Sequence, residues 1–222
     1  YDRGKMRHIR SIHISERVVQ RTLCDKVINP TLKPSFIYDN GASTENKGID
    51  FALNRLSCHL QRHYRKYGRE GYVLLFDFSN YFANAQHWPV SRELAKRVHD
   101  VRIRALANEC LDNFGPIGYG LGSQISQTAA LMLPNKLDHF IKEKLGIKGY
   151  ARYMDDGYLL HPSKEYLKEC LTRMKEVCDS LGIILNTKKT KIKKLSEGFK
   201  FLQIRFKLTE TGKVLRKMSF ES

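Results

Sequence analysis

The chain contains no apolar run of about 18 residues, so it offers no segment that could cross a bilayer as a helix. Internal repeats and low-complexity stretches are also missing, which excludes a solenoid and a compositionally biased tail. Cysteine is sparse and unpatterned: Cys24, Cys58, Cys110, Cys170 and Cys178 are odd in number and irregularly spaced. That argues against a disulfide scaffold and for free thiols in a reducing interior. Glycines 118, 120 and 122 complete no Gly-x-Gly-x-x-Gly pattern after a strand, which removes a dinucleotide-binding loop. The single tryptophan, Trp88, precedes Pro89 and reads as packing. There is no signal peptide and no initiator methionine before Tyr1, so a fragment, or a chain with missing ends, is expected.

Negative charge is scarce. Asp and Glu number 23 against 39 Lys and Arg, for a formal net charge of +16. A domain this basic suits a polyanion, nucleic acid before an anionic membrane. With 222 residues, 41% of them hydrophobic, the chain is globular and large enough for one generous domain or two small lobes.

Residues 1–21 place Lys5, Arg7, Arg10, Arg17 and Arg21 among Ile12, Ile14, Val18 and Val19. They read as an extended piece entering a helix capped by Ser15. Pro30, Pro34, Gly41 and Gly48 predict loop over 29–50. Over 49–67, Ile49, Leu53, Leu56 and Leu60 keep one helix face apolar, and 91–113 also reads as helix. Tyr72 to Phe76 reads as a buried strand ending at Asp77. A glycine-rich loop over 115–122 leads into a helix over 123–145, interrupted at Pro134. A helix over 163–181 and strands at 183–185 and 199–206 follow. Strands and helices alternate without a strict βαβ rhythm, which predicts an α+β sheet backed by helices.

Tyr153-Met154-Asp155-Asp156 lies between two apolar runs and reads as a tight hairpin with the acids at its tip. Ordinary solvated turns also carry Asp, so the rest of the chain has to decide. Adjacent carboxylates repel, and in apolar surroundings one prefers to hold a proton. A divalent cation removes that cost, and Mg²⁺ takes hard oxygen ligands. Asp77 at its strand end adds a third acid. Two ions about 3.5–4 Å apart need such a cluster to clamp the attacking and leaving oxygens of a phosphoryl transfer. His59 and His63, four apart with Cys58 adjacent, have a spacing that can bind zinc. Arg62, Arg65 and Lys66 would repel a cation there, so a solvated or phosphate-contacting face is expected instead.

Asp77-Phe78-Ser79-Asn80-Tyr81-Phe82, Leu121-Gly122-Ser123-Gln124-Ile125-Ser126-Gln127 and Tyr153-Met154-Asp155-Asp156 resemble, in order, motifs A, B and C of reverse transcriptases. Asn186-Thr187-Lys188-Lys189-Thr190 resembles motif D, and Phe199 to Phe206 resembles motif E, the primer grip. Arg17-Val18-Val19-Gln20 resembles the segment that links fingers to palm in group II intron-type enzymes. The resemblance spans nearly the whole chain. It implies an α+β right-hand polymerase, with fingers over 1–70 and part of 88–115 packing between fingers and palm. The palm, an antiparallel sheet backed by helices, would cover 71–206, and 207–222 would begin the connection to a thumb not present in this chain.

The resemblance also assigns residues. Asp77, Asp155 and Asp156 would bind two Mg²⁺ ions, or Mn²⁺, with the Phe78 carbonyl as a further ligand. Phe82 falls at the aromatic position that excludes a ribose 2′-hydroxyl, although ordinary core is the other reading of that residue. Lys5 and Arg7 match the cations that grip the incoming triphosphate. Lys189 matches the lysine that protonates pyrophosphate, although a lysine within 188–194 also reads as a solvated basic face. Leu121, Gly122 and Gln127 would line the nucleotide pocket, and Phe201, Leu202 and Gln203 the primer grip.

Leu121-Gly122 and the closing Ser126-Gln127 depart from the Gln-Gly-x-x-x-Ser-Pro of most group II-related enzymes. They resemble the diversity-generating retroelement enzymes, which copy with frequent errors at adenine. The expected function is therefore RNA-directed DNA polymerisation with an RNA template, a DNA or RNA primer and deoxynucleoside triphosphates. The expected setting is the cytoplasm of a bacterium, with a phage as the other source, no membrane, and room for an accessory protein. Defence-associated or retron-like reverse transcriptases are the alternative subclass. A non-catalytic nucleic-acid-binding module is the alternative class, against which the three acids argue.

Overall fold

A computed structural model describes residues 12–218, which divide into two compact units, each discontinuous in sequence. In chain order the helices are α1 (Ile14–Leu23), α2 (Asn29–Leu32), α3 (Ile49–Tyr67), α4 (Tyr81–Asn84), α5 (Trp88–Arg97), α6 (Val101–Asp112), α7 (Gln124–Met132), α8 (Asn135–His139) and α9 (Lys164–Asp179). The strands are β1 (Tyr72–Asp77), β2 (Tyr150–Tyr153), β3 (Asp156–His161), β4 (Lys191–Lys194), β5 (Phe199–Phe201), β6 (Ile204–Leu208) and β7 (Val214–Met218). Antiparallel sheets mixed with helices make this an α+β protein, as the sequence predicts. No helix among the described residues is long and apolar enough to cross a membrane.

One unit takes the chain up to Phe36 together with Asn80–Asn135 and Leu181–Ile183, and its described elements are helical. His13, not Ser15, caps α1: its ring nitrogen accepts from Ser15 N at 3.4 Å, which leaves Ser15 inside the first turn. The region 91–113 is two helices rather than one. α5 stops at Arg97, and Asp100 starts α6 by accepting from Arg102 N at 2.8 Å, an N-cap embedded in what reads as continuous helix. The stretch expected as loop over 29–50 opens with α2 and a 3-10 turn, Lys33–Ser35, before it becomes irregular. Trp88 is 49% exposed at the start of α5 and does not pack as expected.

The other unit holds Ile37–Ser79, Lys136–Ser180 and Ile184 onward. Its main sheet has the order β2-β3-β1-β4, every neighbouring pair antiparallel. Alternation along β1 divides its side chains between two faces. Val73 joins α3 residues Leu53, Leu56 and Leu60 in a core shared with Tyr158, Leu160, Phe199 and Phe206. Leu74 and Phe76 fall on the face where α9 buries Leu167, Cys170, Met174 and Cys178. Ile49, expected on the apolar face of α3, is 50% exposed. His59 and His63 are buried rather than solvated. Arg55 donates to His59 Nε2 at 3.3 Å, leaving His59 Nδ1 to donate to Tyr158 OH at 2.9 Å, while His63 Nε2 donates to Glu70 O at 2.8 Å. Burial pushes the His59 pKa down to about 4 and keeps the ring neutral.

The strand expected at 183–185 is only an isolated bridge between Leu185 and Phe78. The strand expected over 199–206 is the hairpin β5–β6, reversed at Leu202 and Gln203 with φ of 46° and 68°. Two non-glycine residues in the left-handed region carry no glycine signal for the sequence to show. β4, Lys-Ile-Lys-Lys, escapes a hydrophobic pattern because it is an edge strand dressed in lysine.

Among the described residues one ion pair is fully buried. Asp138 of α8 and Arg152 of β2 have no exposed side-chain surface. Arg152 Nε and Nη2 donate to Asp138 Oδ1 and Oδ2 at 2.9 and 2.7 Å, and Tyr150 OH donates to Oδ1 at 2.5 Å. Arg152 Nη1 reaches forward to Met154 O at 2.8 Å. Removing one partner of such a pair strands a buried charge, at a cost of about 3–5 kcal/mol, whereas apolar replacement of both is often near neutral. Urea unfolding is expected to show a loss of that size for Asp138→Ala, and much less for the double variant Asp138→Leu/Arg152→Met. Equal losses in the two would mean that packing, not charge pairing, sets the stability here.

Candidate active site

Asp77 ends β1 and lies opposite Asp156, the first residue of β3, so the two central strands bring acids from distant parts of the chain to one end of the sheet. Asp155 sits in the turn between β2 and β3, and its carbonyl accepts from Phe78 N at 3.2 Å. The turn is tight enough to force Met154 to φ 54°. That strained non-glycine residue is held by the Arg152 guanidinium on its carbonyl.

Asp77 is anchored from three sides. Asn186 N donates to its backbone oxygen at 2.8 Å, and Asn186 Nδ2 to Oδ1 at 3.2 Å. Lys189 Nζ donates to Oδ2 at 2.5 Å. Asn186 Oδ1 in turn accepts from the backbone N–H groups of Lys188 and Lys189, so one asparagine both fixes the acid and shapes the turn that delivers the lysine. Asn186 entered the sequence reading only as the first letter of a motif. An Asn two and three residues before a basic pair is the turn signal that could have raised it further.

Asp156 carries the clearest electrostatic signature. Burial, then the charges of Asp155 and Asp77, push its pKa up to about 7, with Lys189 and a hydrogen bond to Asp77 as further influences. The hydrogen bond to Asp77, with the surrounding carboxylates, holds the Lys189 ammonium above its ordinary range. Three crowded hard-oxygen donors are the chemistry a Mg²⁺- or Mn²⁺-sized cation suits. As the side chains stand, no three His, Cys, Asp or Glu residues among the described ones converge into a ligand set, and Asp77 is turned toward Lys189 and Asn186. Phe78 is buried behind the acids against Phe76, ring centroids 5.5 Å apart. Phe201 is buried edge-on to Tyr158 at 5.0 Å, while Leu202 and Gln203 form the β5–β6 turn.

Phe82, Leu121, Gly122 and Gln127 belong to the helical unit. Phe82 is half-buried, edge-on to Tyr81, and its carbonyl accepts from Tyr119 N at 2.7 Å. Gly118, at φ 95°, lies so close that a Cβ there would come within 2.9 Å of Ala83 O, so the glycines let the loop press onto the Phe82 turn. His87 pins the loop from below, 2.6 Å from Gly118 O and 2.7 Å from Asp112 Oδ1. Leu121 is half-buried, and Gly122 and Gln127 are exposed. Ser123 caps α7 and donates to Gln20 Oε1 at 2.8 Å, a buried contact between α1 and the loop. Gln20 is thus a second residue whose part the sequence left unread. Lys5 and Arg7 lie outside the described residues.

The family model described as reverse transcriptase (RNA-dependent DNA polymerase) matches residues 2–206. The chain belongs to the reverse transcriptase family. Among solved structures it is similar to telomerase from Candida albicans in complex with a TWJ fragment of telomeric RNA. The TM-score there is 0.64 at 12% identity, over 92% of this chain and 38% of that one. It is also similar to apo telomerase from Candida tropicalis truncated from its C-terminal domain. That match has a TM-score of 0.63 at 13% identity, over 90% of this chain and 44% of the other. These likenesses are of fold, and the reverse transcriptase chain spans about two-fifths of the telomerase chains. No curated protein matches it.

The raised Asp156 pKa sets a pH dependence for the stability of this chain. An acid that holds its proton more tightly when folded stabilises the fold below its unfolded pKa, near 3.8, and loses that contribution as pH climbs to about 7. Asp156→Asn removes the penalty. In chelator-treated buffer its melting temperature is expected to match the wild type near pH 4 and to exceed it increasingly up to neutrality, with a plateau above. A constant offset across the range would assign the effect to packing.

Proposed function

We propose that this chain is the fingers and palm of an RNA-directed DNA polymerase that adds deoxynucleotides to a primer 3′-end. One observation carries the reading: Asp77 faces Asp156 across β1 and β3, with Asp155 adjacent, and Asp156 is driven to hold a proton. Asp77, Asp155 and Asp156, with the Phe78 carbonyl, would hold two Mg²⁺ ions, Mn²⁺ being an alternative. Such ions, when bound, activate the attacking hydroxyl and neutralise the triphosphate. The chain's own residues do the rest. Lys189 stays protonated beside the cluster and is the donor to the departing pyrophosphate. Lys5 and Arg7 grip the triphosphate. Phe82, half-buried rather than core, faces the sugar, and Leu121, Gly122 and Gln127 border the base. Phe201 anchors a hairpin whose Leu202–Gln203 tip positions the primer. The +16 charge and an RNA-bound telomerase of the same fold support an RNA template and a DNA or RNA primer as partners.

Asp155→Asn is expected to abolish primer extension while leaving template binding within about twofold, because the lost charge sits at the acids and not among the phosphate-binding cations. Full extension by this variant would remove the reading.

Within that reading we place the enzyme with the error-prone diversity-generating retroelement type, on the strength of Leu121. An amide at 121 could hydrogen-bond in the nucleotide pocket, while leucine offers only apolar contact. Apolar pockets discriminate by only about 1–3 kcal/mol. Sequencing of products from an adenine-rich RNA template is expected to show frequent errors opposite adenine, reduced by Leu121→Gln with extension retained. Identical error spectra would return the chain to the general or retron-like class.

A further inference from the structure

A basic cavity lies away from the acids. It has a volume of about 410 Å³ and is lined by Tyr72, Lys164, Ile192, Lys193, Lys194, Glu197, Gly198 and Arg205. Tyr72 is the first residue of β1 and Asp77 the last, so the cavity sits about 17 Å along the strand from the candidate active site, at a strand rise of about 3.3 Å per residue. Four cations and one carboxylate line it. Among the described residues none of the four cations forms an ion pair, not even with Glu197. Elsewhere in this unit Arg55 and Lys142 meet Asp39, Arg69 meets Glu210, and Arg152 meets Asp138. The local excess of positive charge is therefore uncompensated as well as concave, and such a space focuses field and attracts anions.

Three different elements converge here. Lys164 opens α9, Lys193 and Lys194 lie on edge strand β4, and Arg205 comes from β6 of the second sheet. Cations fixed on separate rigid elements keep their spacing, unlike a run of lysines on one mobile loop. The volume admits about one nucleotide unit and not a folded partner. Tyr72, half-buried in the lining, offers a ring against which a sugar or base can rest.

We propose that this cavity is a second nucleic-acid site, which binds the sugar–phosphate backbone of a polynucleotide strand outside the candidate active site. Phosphodiester oxygens are the ligand. A free polyphosphate carries the same chemistry and is distinguished by the experiment. The site does not depend on polymerase chemistry, since binding can be read without nucleotide or metal.

Lys164→Glu/Lys193→Glu is compared with Lys168→Glu/Lys175→Glu, an equal charge change on exposed α9 lysines outside the cavity. Fluorescence anisotropy with a labelled single-stranded RNA is measured across a salt series. The cavity variant is expected to bind about tenfold more weakly or worse at low salt, with a log–log salt slope shallower by about 1.4, two contacts at about 0.7 each. The control pair is expected to retain most of its affinity. Lys164→Gln/Lys193→Gln, which only neutralises, should fall between, and it stands in if the reversed pair melts early. Equal losses in cavity and control pairs, or an unchanged slope, would overturn the site as a general charge effect. Displacement of the RNA by tripolyphosphate at equal phosphate concentration would overturn the backbone in favour of free phosphate.

Discussion

The acidic turn depends on the Asp138–Arg152 pair. Arg152 spends two donors on Asp138 and a third on the Met154 carbonyl, so the same guanidinium that neutralises a buried carboxylate also holds the backbone just before Asp155. Its own main chain is latched as well: Arg152 N donates to Asp39 O at 3.2 Å, and Gly41 N to Arg152 O at 3.0 Å. Lysine could supply the charge but not the planar fork that serves both tasks at once. A buried ion pair is rarely a bargain in stability against an apolar core. Its presence here is explained by geometry, because an apolar residue could not hold a turn whose second residue is strained at φ 54°.

Placing three acids together creates a charge problem, and the chain answers it in two ways. Asp77 is given Lys189 and Asn186. At Asp156, burial and the neighbouring carboxylates outweigh the charge of Lys189, and the acid instead holds its proton until about pH 7. The two answers are unequal, and the inequality has chemical meaning. A site that satisfied all three acids with its own cations would have no affinity left for an outside one. A site that left all three bare would oppose its own fold. Residual frustration at the strand ends, borne by a well-packed sheet between α3 and α9, is what a functional site looks like in a consistent fold.

Much of this was legible in the sequence, for identifiable reasons. β1, β2 and β3 were readable as short apolar runs of strand length, and α3 and α9 because each buries one face at the helical period. The acids were readable because they stand at the ends of those elements. What failed was read through composition alone. Lysine-rich β4 looked like a solvated face and is an edge strand. His59 and His63, among arginines, looked solvated and are buried, because neutral imidazole can share α3's apolar side when a tyrosine hydroxyl and a carbonyl satisfy it. The Leu202–Gln203 reversal carries no turn residue to reveal it. Asn186 and Gln20 were invisible for another reason: what each does is decided by a partner more than a hundred positions away.

The candidate residues divide between the two units, and so does their support. Asp77 and Asp156 are fixed by strand register, Asp155 by the turn between β2 and β3, and Lys189 by the Asn186 turn that delivers it to Asp77. Phe82 lies on the short helix α4, Leu121 and Gly122 on the loop before α7, and Gln127 in α7 itself; Tyr119 N on the Phe82 carbonyl, His87 on Gly118 O and Gln20 on Ser123 fix them. A sheet tolerates almost no local adjustment without losing register, whereas a capped loop can change its side chains and keep its path. On the proposed roles, the division would separate what must stay constant for phosphoryl transfer from what can vary for nucleotide choice. A leucine can stand at 121 without disturbing Asp77, because the hydrogen bonds that orient Asp77 come from Asn186 and Lys189 and not from the loop that carries it.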